Sequence, residues 1–146
     1  MIFYEHAVFA NFALTWFMVG LIWLIQIVNY PLFRVISKHG FVSYHESHVK
    51  RITPIVATVM ILEASMAVSL LLIPNPYTGS GLVLINLLFL GLIWLSTALL
   101  QLPMHNKLNT LKNPKTVNQL ITSNWFRTLM WSLKGFCGWL LLIQIY

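Results

Sequence analysis

Charged residues are scarce in this chain of 146 residues. They make up 8% of the sequence, and only three of them are acidic, whereas roughly 25% of the residues in ordinary soluble domains are charged. Hydrophobic residues, in contrast, make up 58% of the chain. This composition leaves little material for a soluble domain and predicts an integral membrane protein.

Cysteine is almost absent as well. The single Cys137 excludes an intramolecular disulfide, and it also excludes a zinc or iron–sulfur site built from cysteines. The segment from Met1 to His6 contains no lysine or arginine, although a cleavable signal peptide begins with a basic stretch and has a short apolar region. We therefore expect the first apolar segment to be retained as a helix.

Long apolar windows dominate the rest of the chain. A helix needs about 20 apolar residues to cross a hydrocarbon core of about 30 Å. The windows that meet this length are Ala7 to Asn29, Ile52 to Ile73, Leu82 to Leu102 and Thr128 to Tyr146. The sequence therefore predicts an all-α fold with a single domain over residues 1–146, in which four transmembrane helices form an up-down-up-down bundle that extends on the cytoplasmic side.

The net charge of +6 is unevenly distributed along the chain. The connection between the second and third windows, Asn75 to Gly81, has no basic residue. Basic loops stay in the cytoplasm, so we expect both termini outside the cytoplasmic membrane and lipid headgroups, not nucleic acid, as partners of these charges. The basic residues near the other two connections are Arg34, Lys38, Lys50, Arg51, Lys107, Lys112, Lys115 and Arg127.

Local signals suggest where the helices begin and end. Ser43 and Glu46 have the spacing of a capping box, which predicts that the second helix begins near His45. Pro31 is expected to end or kink the first helix. Asn113 followed by proline is typical of a helix start, so we expect the fourth helix to begin well before its apolar window.

Glu63 is the strongest signal for a functional site. It lies midway along the second window, where a charged side chain costs at least about 2.5 kcal/mol and usually faces the bundle interior. Lys134 in the fourth window lies at a similar depth and can pair with it. Two interpretations remain open: a buried ion pair that fixes the helix register, or a ligand, proton carrier or substrate contact.

Three histidines form a second candidate site. His45 and His48 are spaced i, i+3, and His105 lies at a similar level just outside the third window. On an ideal helix, Trp94 and Gln101 share one face with His105. Imidazole suits zinc, copper and iron, so the three histidines are candidate metal ligands. They can also be polar residues at the membrane interface, or two of them can be axial ligands of a haem.

Arginines at the cytoplasmic entrance of the bundle form a third candidate site. Arg51 and Arg127, with the amide of Asn124, can hold a carboxylate, phosphate or enolate. Trp125 lies beside them in the sequence. Arginines at this level also serve as ordinary interfacial anchors, and this alternative remains open.

Several motifs carry a resemblance to a known group. The chain resembles a group of small, uncharacterised bacterial four-helix integral membrane proteins over nearly its whole length, which implies the bacterial inner membrane as its location. It is also similar, by size, helix number and scattered histidines and arginines, to the anthrone-oxygenase-like membrane family. That similarity implies oxidation of a flat phenolic or polycyclic substrate. The motifs are Gln26-x-x-Asn29-Tyr30-Pro31, Tyr44-His45-x-x-His48, Met60-x-x-Glu63, Pro103-x-His105 and Asn124-Trp125-x-Arg127-Thr128-x-x-Trp131.

The leading hypothesis is a membrane oxidoreductase or metal-binding protein that acts on a small hydrophobic or phenolic substrate. Its polar site lies between the helices, towards the cytoplasmic side. The residues assigned to it are His45, His48 and His105 as ligands of iron, copper or zinc, Glu63 as a ligand or proton relay, and Arg51 or Arg127 as the group that orients the substrate.

Two further hypotheses remain open. One is an accessory subunit or small transporter that uses Glu63 and Lys134 as a switch, without enzymatic activity. The other is a haem-binding electron carrier. Four helices enclose little volume, so assembly into a homo-oligomer or a larger membrane complex is compatible with each hypothesis.

Overall fold

The computed structural model describes residues 2–73 and 81–145, and these residues contain helices and no strand. The all-α prediction is therefore confirmed. The predicted connection at residues 74–80 and the terminal Tyr146 lie outside the described residues. The helical elements are α1 (Ile2–Leu24), a first π-helical segment (Ile25–Asn29), α2 (Tyr30–Val35), α3 (Lys38–Leu72), α4 (Gly81–Ser96), a second π-helical segment (Thr97–Gln101), α5 (Leu102–Leu108) and α6 (Pro114–Ile143).

Both π-helical segments come directly before a proline-containing turn. Pro31 and Pro103 are the second residues of α2 and α5. Proline has no amide hydrogen and its ring collides with the carbonyl four residues earlier. The chain adjusts by forming i→i+5 bonds, in which the amides of Tyr30 and Leu102 donate to the carbonyls of Ile25 and Thr97. Helix therefore continues past Pro31 to Val35, and it continues past Pro103 as expected.

The start of α3 differs from the prediction. The helix begins at Lys38, and the Ser37 hydroxyl caps it by accepting a bond from the Gly40 amide at 3.4 Å. The expected start near His45 was wrong, because Ser37, eight residues earlier, already satisfies a free amide of the first turn. The Ser43 and Glu46 pair lies inside the helix on an exposed face.

The start of α6 follows the prediction. Asn113 Oδ1 accepts bonds from the amides of Lys115 at 2.9 Å and Thr116 at 3.3 Å, and Pro114 occupies the first helical position. The backbone of Asn113 is extended, and its side chain accepts bonds from two amides that have no partner within the helix. Residues next to one another in the sequence therefore account for this boundary.

Helix α6 lies at the centre of the packing. It packs against α1 and α4 along its length, whereas α3 packs mainly against α1 and makes fewer contacts with α4. Three clusters of buried apolar residues follow one another along the bundle. Trp131 belongs to the middle cluster and is fully buried, so the polar residues of α6 are held among tightly packed neighbours.

Three helical stretches are long and apolar enough to cross a membrane: Phe3–Val35, Lys38–Leu72 and Gly81–Leu108. This finding is compatible with a membrane protein. Helix α6, which contains the described part of the fourth predicted window, is not among them. It carries Arg127 and Lys134, and both side chains are buried inside the bundle instead of facing outward.

We predict that the Asn113 cap stabilises α6. Replacing Asn113 with alanine removes both acceptor contacts and should lower the free energy of unfolding by about 1 kcal/mol. The change can be measured by unfolding the detergent-purified protein in mixed micelles and following its helical circular dichroism. Asn106→Ala, at an exposed position within α5, is the matched control, and an equal effect of the two substitutions would contradict the capping role.

Candidate functional site

A buried ion pair lies in the middle of the bundle. Lys134 Nζ is 2.9 Å from Glu63 Oε1, and both side chains are 0% exposed. The Thr15 hydroxyl donates to Glu63 Oε1 at 2.7 Å and accepts from Lys134 Nζ at 2.8 Å. The Trp131 indole donates to Glu63 Oε2 at 3.2 Å. We call these four residues the ion-pair cluster, and they join α1, α3 and α6.

The predicted pairing of Glu63 with Lys134 is therefore present. Both carboxylate oxygens of Glu63 have donors, and the backbone carbonyl of Glu63 accepts a further bond from the Asn11 amide at 3.3 Å. A buried charge is tolerated when it is paired and its remaining hydrogen-bonding positions are filled. This arrangement satisfies the charges of the pair, as the interpretation of a buried ion pair that fixes the helix register requires.

A second polar group lies nearer the α2 and α5 end of the bundle. Asn124 Nδ2 donates to Gln26 Oε1 at 2.8 Å, and Gln26 Nε2 donates to the Ile121 carbonyl at 3.2 Å. Arg127 Nη1 donates to Asn124 Oδ1 at 3.1 Å. Gln26 lies in the first π-helical segment. This widened segment therefore contacts α6 one turn before Arg127, through the bonds of Gln26 to Asn124 and Ile121.

Arg127 is a buried cation that is only 6% exposed. Its guanidinium carbon lies 5.1 Å from the centre of the Trp131 ring, and its charge acts on Tyr30 and His105. Its Nε atom has no hydrogen-bond partner, and Glu63 with Lys134 is the only ion pair in the described part of the chain. The positive charge of Arg127 therefore has no carboxylate next to it within residues 2–73 and 81–145.

Beside Arg127, a tyrosine and two histidines form a hydrogen-bonded chain. The Tyr30 hydroxyl lies 3.0 Å from His105 Nε2, and His105 Nδ1 lies 2.9 Å from His45 Nε2. His45 is fully buried between the rings of Phe41 and His105. Each contact joins one donor to one acceptor, so the chain can exchange protons along its length. Arg127, Tyr30, His105 and His45 are called the arginine–histidine cluster below.

The structure brings together only part of the predicted histidine site. His45 and His105 are in contact, whereas His48 is half-buried and packs against the rings of Phe33 at 5.2 Å and Tyr30 at 6.4 Å between ring centres. Among residues 2–73 and 81–145, no group of three His, Cys, Asp or Glu residues is arranged to hold a metal ion. The predicted set of three ligands is therefore not assembled in this geometry.

The two predicted arginines also lie in different environments. Arg51 is exposed on α3, whereas Arg127 is buried. Trp125 is partly exposed and packs against Trp23 with 5.6 Å between ring centres. Its role is packing near the surface of the bundle.

Sequence analysis did not single out Tyr30 and Thr15 as site residues. Tyr30 precedes a proline that was expected to end or kink the helix. A tyrosine near the end of a membrane helix is also typical of the membrane interface. Thr15 has no charge and lies in a long apolar run. The proline after Tyr30 was the signal in the sequence that was missed. The chain forms a π-helical turn before this proline, and such turns are frequent at functional sites.

Comparison with known proteins does not extend these observations. No protein-family model, curated protein or solved structure matched the chain. A functional assignment therefore depends on the chemistry of the two clusters.

We predict that Lys134→Met strongly destabilises the protein. The substitution leaves Glu63 charged and unpaired, which should lower the free energy of unfolding by about 3–5 kcal/mol. Adding Glu63→Gln removes the second charge and should recover much of the loss. Unfolding in mixed micelles compares the variants, with Lys107→Met at an exposed position as control. Equal destabilisation of the single and double variants would show that the pairing contributes little.

Proposed function

We propose that this protein is a membrane enzyme that binds a small anionic or phenolic molecule at Arg127 and transfers protons through the arginine–histidine cluster. The buried charge of Arg127 is the observation that carries this proposal. Removing a charged group from water costs several kcal/mol unless a partner offsets the penalty. The chain has only three acidic residues, Glu5, Glu46 and Glu63, and Glu63 is already paired with Lys134.

The chemistry of the ligand follows from the donors around Arg127. A guanidinium presents five N–H donors in one plane, which suits a carboxylate or a phenolate. One donor of Arg127 is used by Asn124, and the Nε atom is unpartnered. Trp131 lies against the guanidinium and offers a flat apolar surface next to the charge. A molecule with a planar, weakly acidic head group matches this combination.

The tyrosine–histidine chain supplies the acid–base step. When Tyr30 takes a proton from a bound phenol or enol, it can pass its own proton to His105 Nε2. His105 can then release its Nδ1 proton to His45 Nε2, 2.9 Å away. At the end of this sequence His105 again has one ring proton, whereas His45 has two and carries the positive charge, and Tyr30 is neutral again. General acid–base catalysis of this kind contributes about 10²–10⁴-fold to a rate.

The membrane arrangement belongs to the same proposal. We place the four helices across the bacterial inner membrane in alternating directions, with both termini outside. The uneven distribution of basic residues supports this orientation, and the apolar character of three helical stretches supports the location. In this arrangement the arginine–histidine cluster lies towards the cytoplasmic side of the bundle.

Arg127→Gln tests the anion site. Benzoate, decanoate and inorganic phosphate serve as probes with detergent-purified protein, and binding is followed by calorimetry and tryptophan fluorescence. Hydrogen bonds to a charged group contribute about 1.5–3 kcal/mol, so the substitution should weaken binding about 10- to 100-fold. Arg34→Gln removes an exposed arginine as the matched control. Unchanged affinity in Arg127→Gln, or wild-type protein that binds none of the probes, would refute the proposal.

A second candidate function is metal-dependent redox chemistry, and one observation favours it. Two imidazole nitrogens, His45 Nε2 and His105 Nδ1, face each other at 2.9 Å. Nitrogens bound to one tetrahedral zinc lie about 3.4 Å apart, so a small separation of the rings lets both bind one ion. His48 is near enough to act electrostatically on His105, and a movement of its side chain would bring a third nitrogen.

Elemental analysis with a visible spectrum distinguishes this second candidate. If a metal centre exists, protein purified from its native membrane should contain near-stoichiometric iron, copper or zinc, and a Soret band would reveal haem. Replacing His45, His48 and His105 together with glutamine should remove the metal. The pair His6→Gln and His39→Gln, at exposed positions, controls for adventitious binding. Metal content that survives the triple substitution would rule this function out.

A further inference from the structure

A shallow groove runs along one face of α3 outside the bundle interior. Its volume is about 620 Å³, which lies within the range of about 300–1,000 Å³ that is usual for small-molecule sites. No acidic residue is among its lining side chains, so a negative charge in the groove meets no carboxylate there. The lining residues are Gly40, Ser43, Tyr44, Ser47, His48, Arg51, Ile52 and Ile55.

The groove changes character along its length. Hydroxyl groups lie towards one end and Ile52 and Ile55 lie at the other, and the exposed Arg51 lies next to the isoleucines. The isoleucines belong to the start of the apolar window that is proposed to enter the bilayer. An anionic head at Arg51 would therefore place an attached apolar chain alongside α3 in the direction of the lipid. This combination fits an amphiphilic anion better than a fully water-soluble one.

His48 forms the wall between this groove and the buried cluster. It lines the groove, and its ring also contacts the rings of Phe33 and Tyr30 inside the bundle. It is close enough to act electrostatically on His105. One half-buried side chain therefore separates Arg51 on the outside from the Tyr30 hydroxyl on the inside.

We infer that the groove is the entrance by which an amphiphilic anion from the adjacent membrane leaflet reaches Arg127. This inference rests on the proposed anion site and adds a substrate class: a single-chain carboxylate or phenolate that dissolves in lipid. Arg51 captures the head group, the isoleucines hold the chain, and movement of His48 admits the head to the buried cluster. The two arginines thus act in succession on one ligand.

The test separates entry from binding. Decanoate and benzoate are mixed with protein in nanodiscs of neutral phosphatidylcholine, and association is followed by stopped-flow tryptophan fluorescence. An entrance changes the rates of binding and release together, so Arg51→Gln should slow both for decanoate by about tenfold and leave its dissociation constant unchanged. Lys50→Gln is the matched control, since it removes the same charge from the neighbouring exposed position outside the groove.

The outcomes distinguish the two proposals. Slower decanoate association in Arg51→Gln than in Lys50→Gln, with faster association in His48→Ala, supports the entrance. Equal rates in the Arg51 and Lys50 variants, with binding still dependent on Arg127, overturn the entrance and leave the anion site standing. Benzoate that associates faster than decanoate overturns the amphiphilic substrate class. Loss of all binding in the wild-type protein overturns both proposals.

Discussion

The ion pair between Glu63 and Lys134 is the interaction on which the interior of this bundle depends. It joins α3 to α6 at 2.9 Å, and Thr15 connects both charges to α1. In a medium without water, each of these groups needs a protein partner, so the three helices are held in one relative register. Trp131 connects the ion pair to Arg127, because its N–H donates to Glu63 while its ring lies against the guanidinium of Arg127. The position of Arg127 therefore depends on an ion pair about two helical turns away.

The two buried cations of α6 have different hydrogen-bond partners. Lys134 donates to a carboxylate and to a hydroxyl, whereas Arg127 donates to a neutral amide and has an unpartnered Nε. The charge of Lys134 is therefore satisfied by protein groups alone, and a structural role is enough to explain it. The arrangement at Arg127 leaves one donor of a buried cation unused, and buried charged groups of this kind are frequent where they serve binding or catalysis. This difference is the reason why the proposed anion site is assigned to Arg127 and not to Glu63.

The sequence predicted those features that depend on a few neighbouring residues. The cap at Asn113 and the pairing of Glu63 with Lys134 were both foreseen, because one follows from local chemistry and the other from depth in an apolar window. Features that depend on a shift in helical register were missed. Trp94, Gln101 and His105 share one face only on an ideal helix, and the π-helical segment between them breaks that rule: Trp94 is exposed while Gln101 is buried. Arg51 was grouped with Arg127 because sequence position gives the level of a side chain but not its burial, and Arg51 is exposed whereas Arg127 is buried.

The two π-helical segments also explain why the arginine–histidine cluster forms where it does. Each segment inserts an extra residue into its turn and is followed, one residue later, by a proline. Tyr30 lies directly before Pro31, and His105 lies two residues after Pro103. The same order of elements occurs in both halves of the described chain: a helix that contains a π-helical segment is followed by a long regular α-helix. Widened turns give up regular helical bonding, so their presence on both helices at the level where Tyr30 meets His105 needs a compensating benefit. The contact between Tyr30 and His105 beside Arg127 is the benefit that the proposed function assigns to these turns.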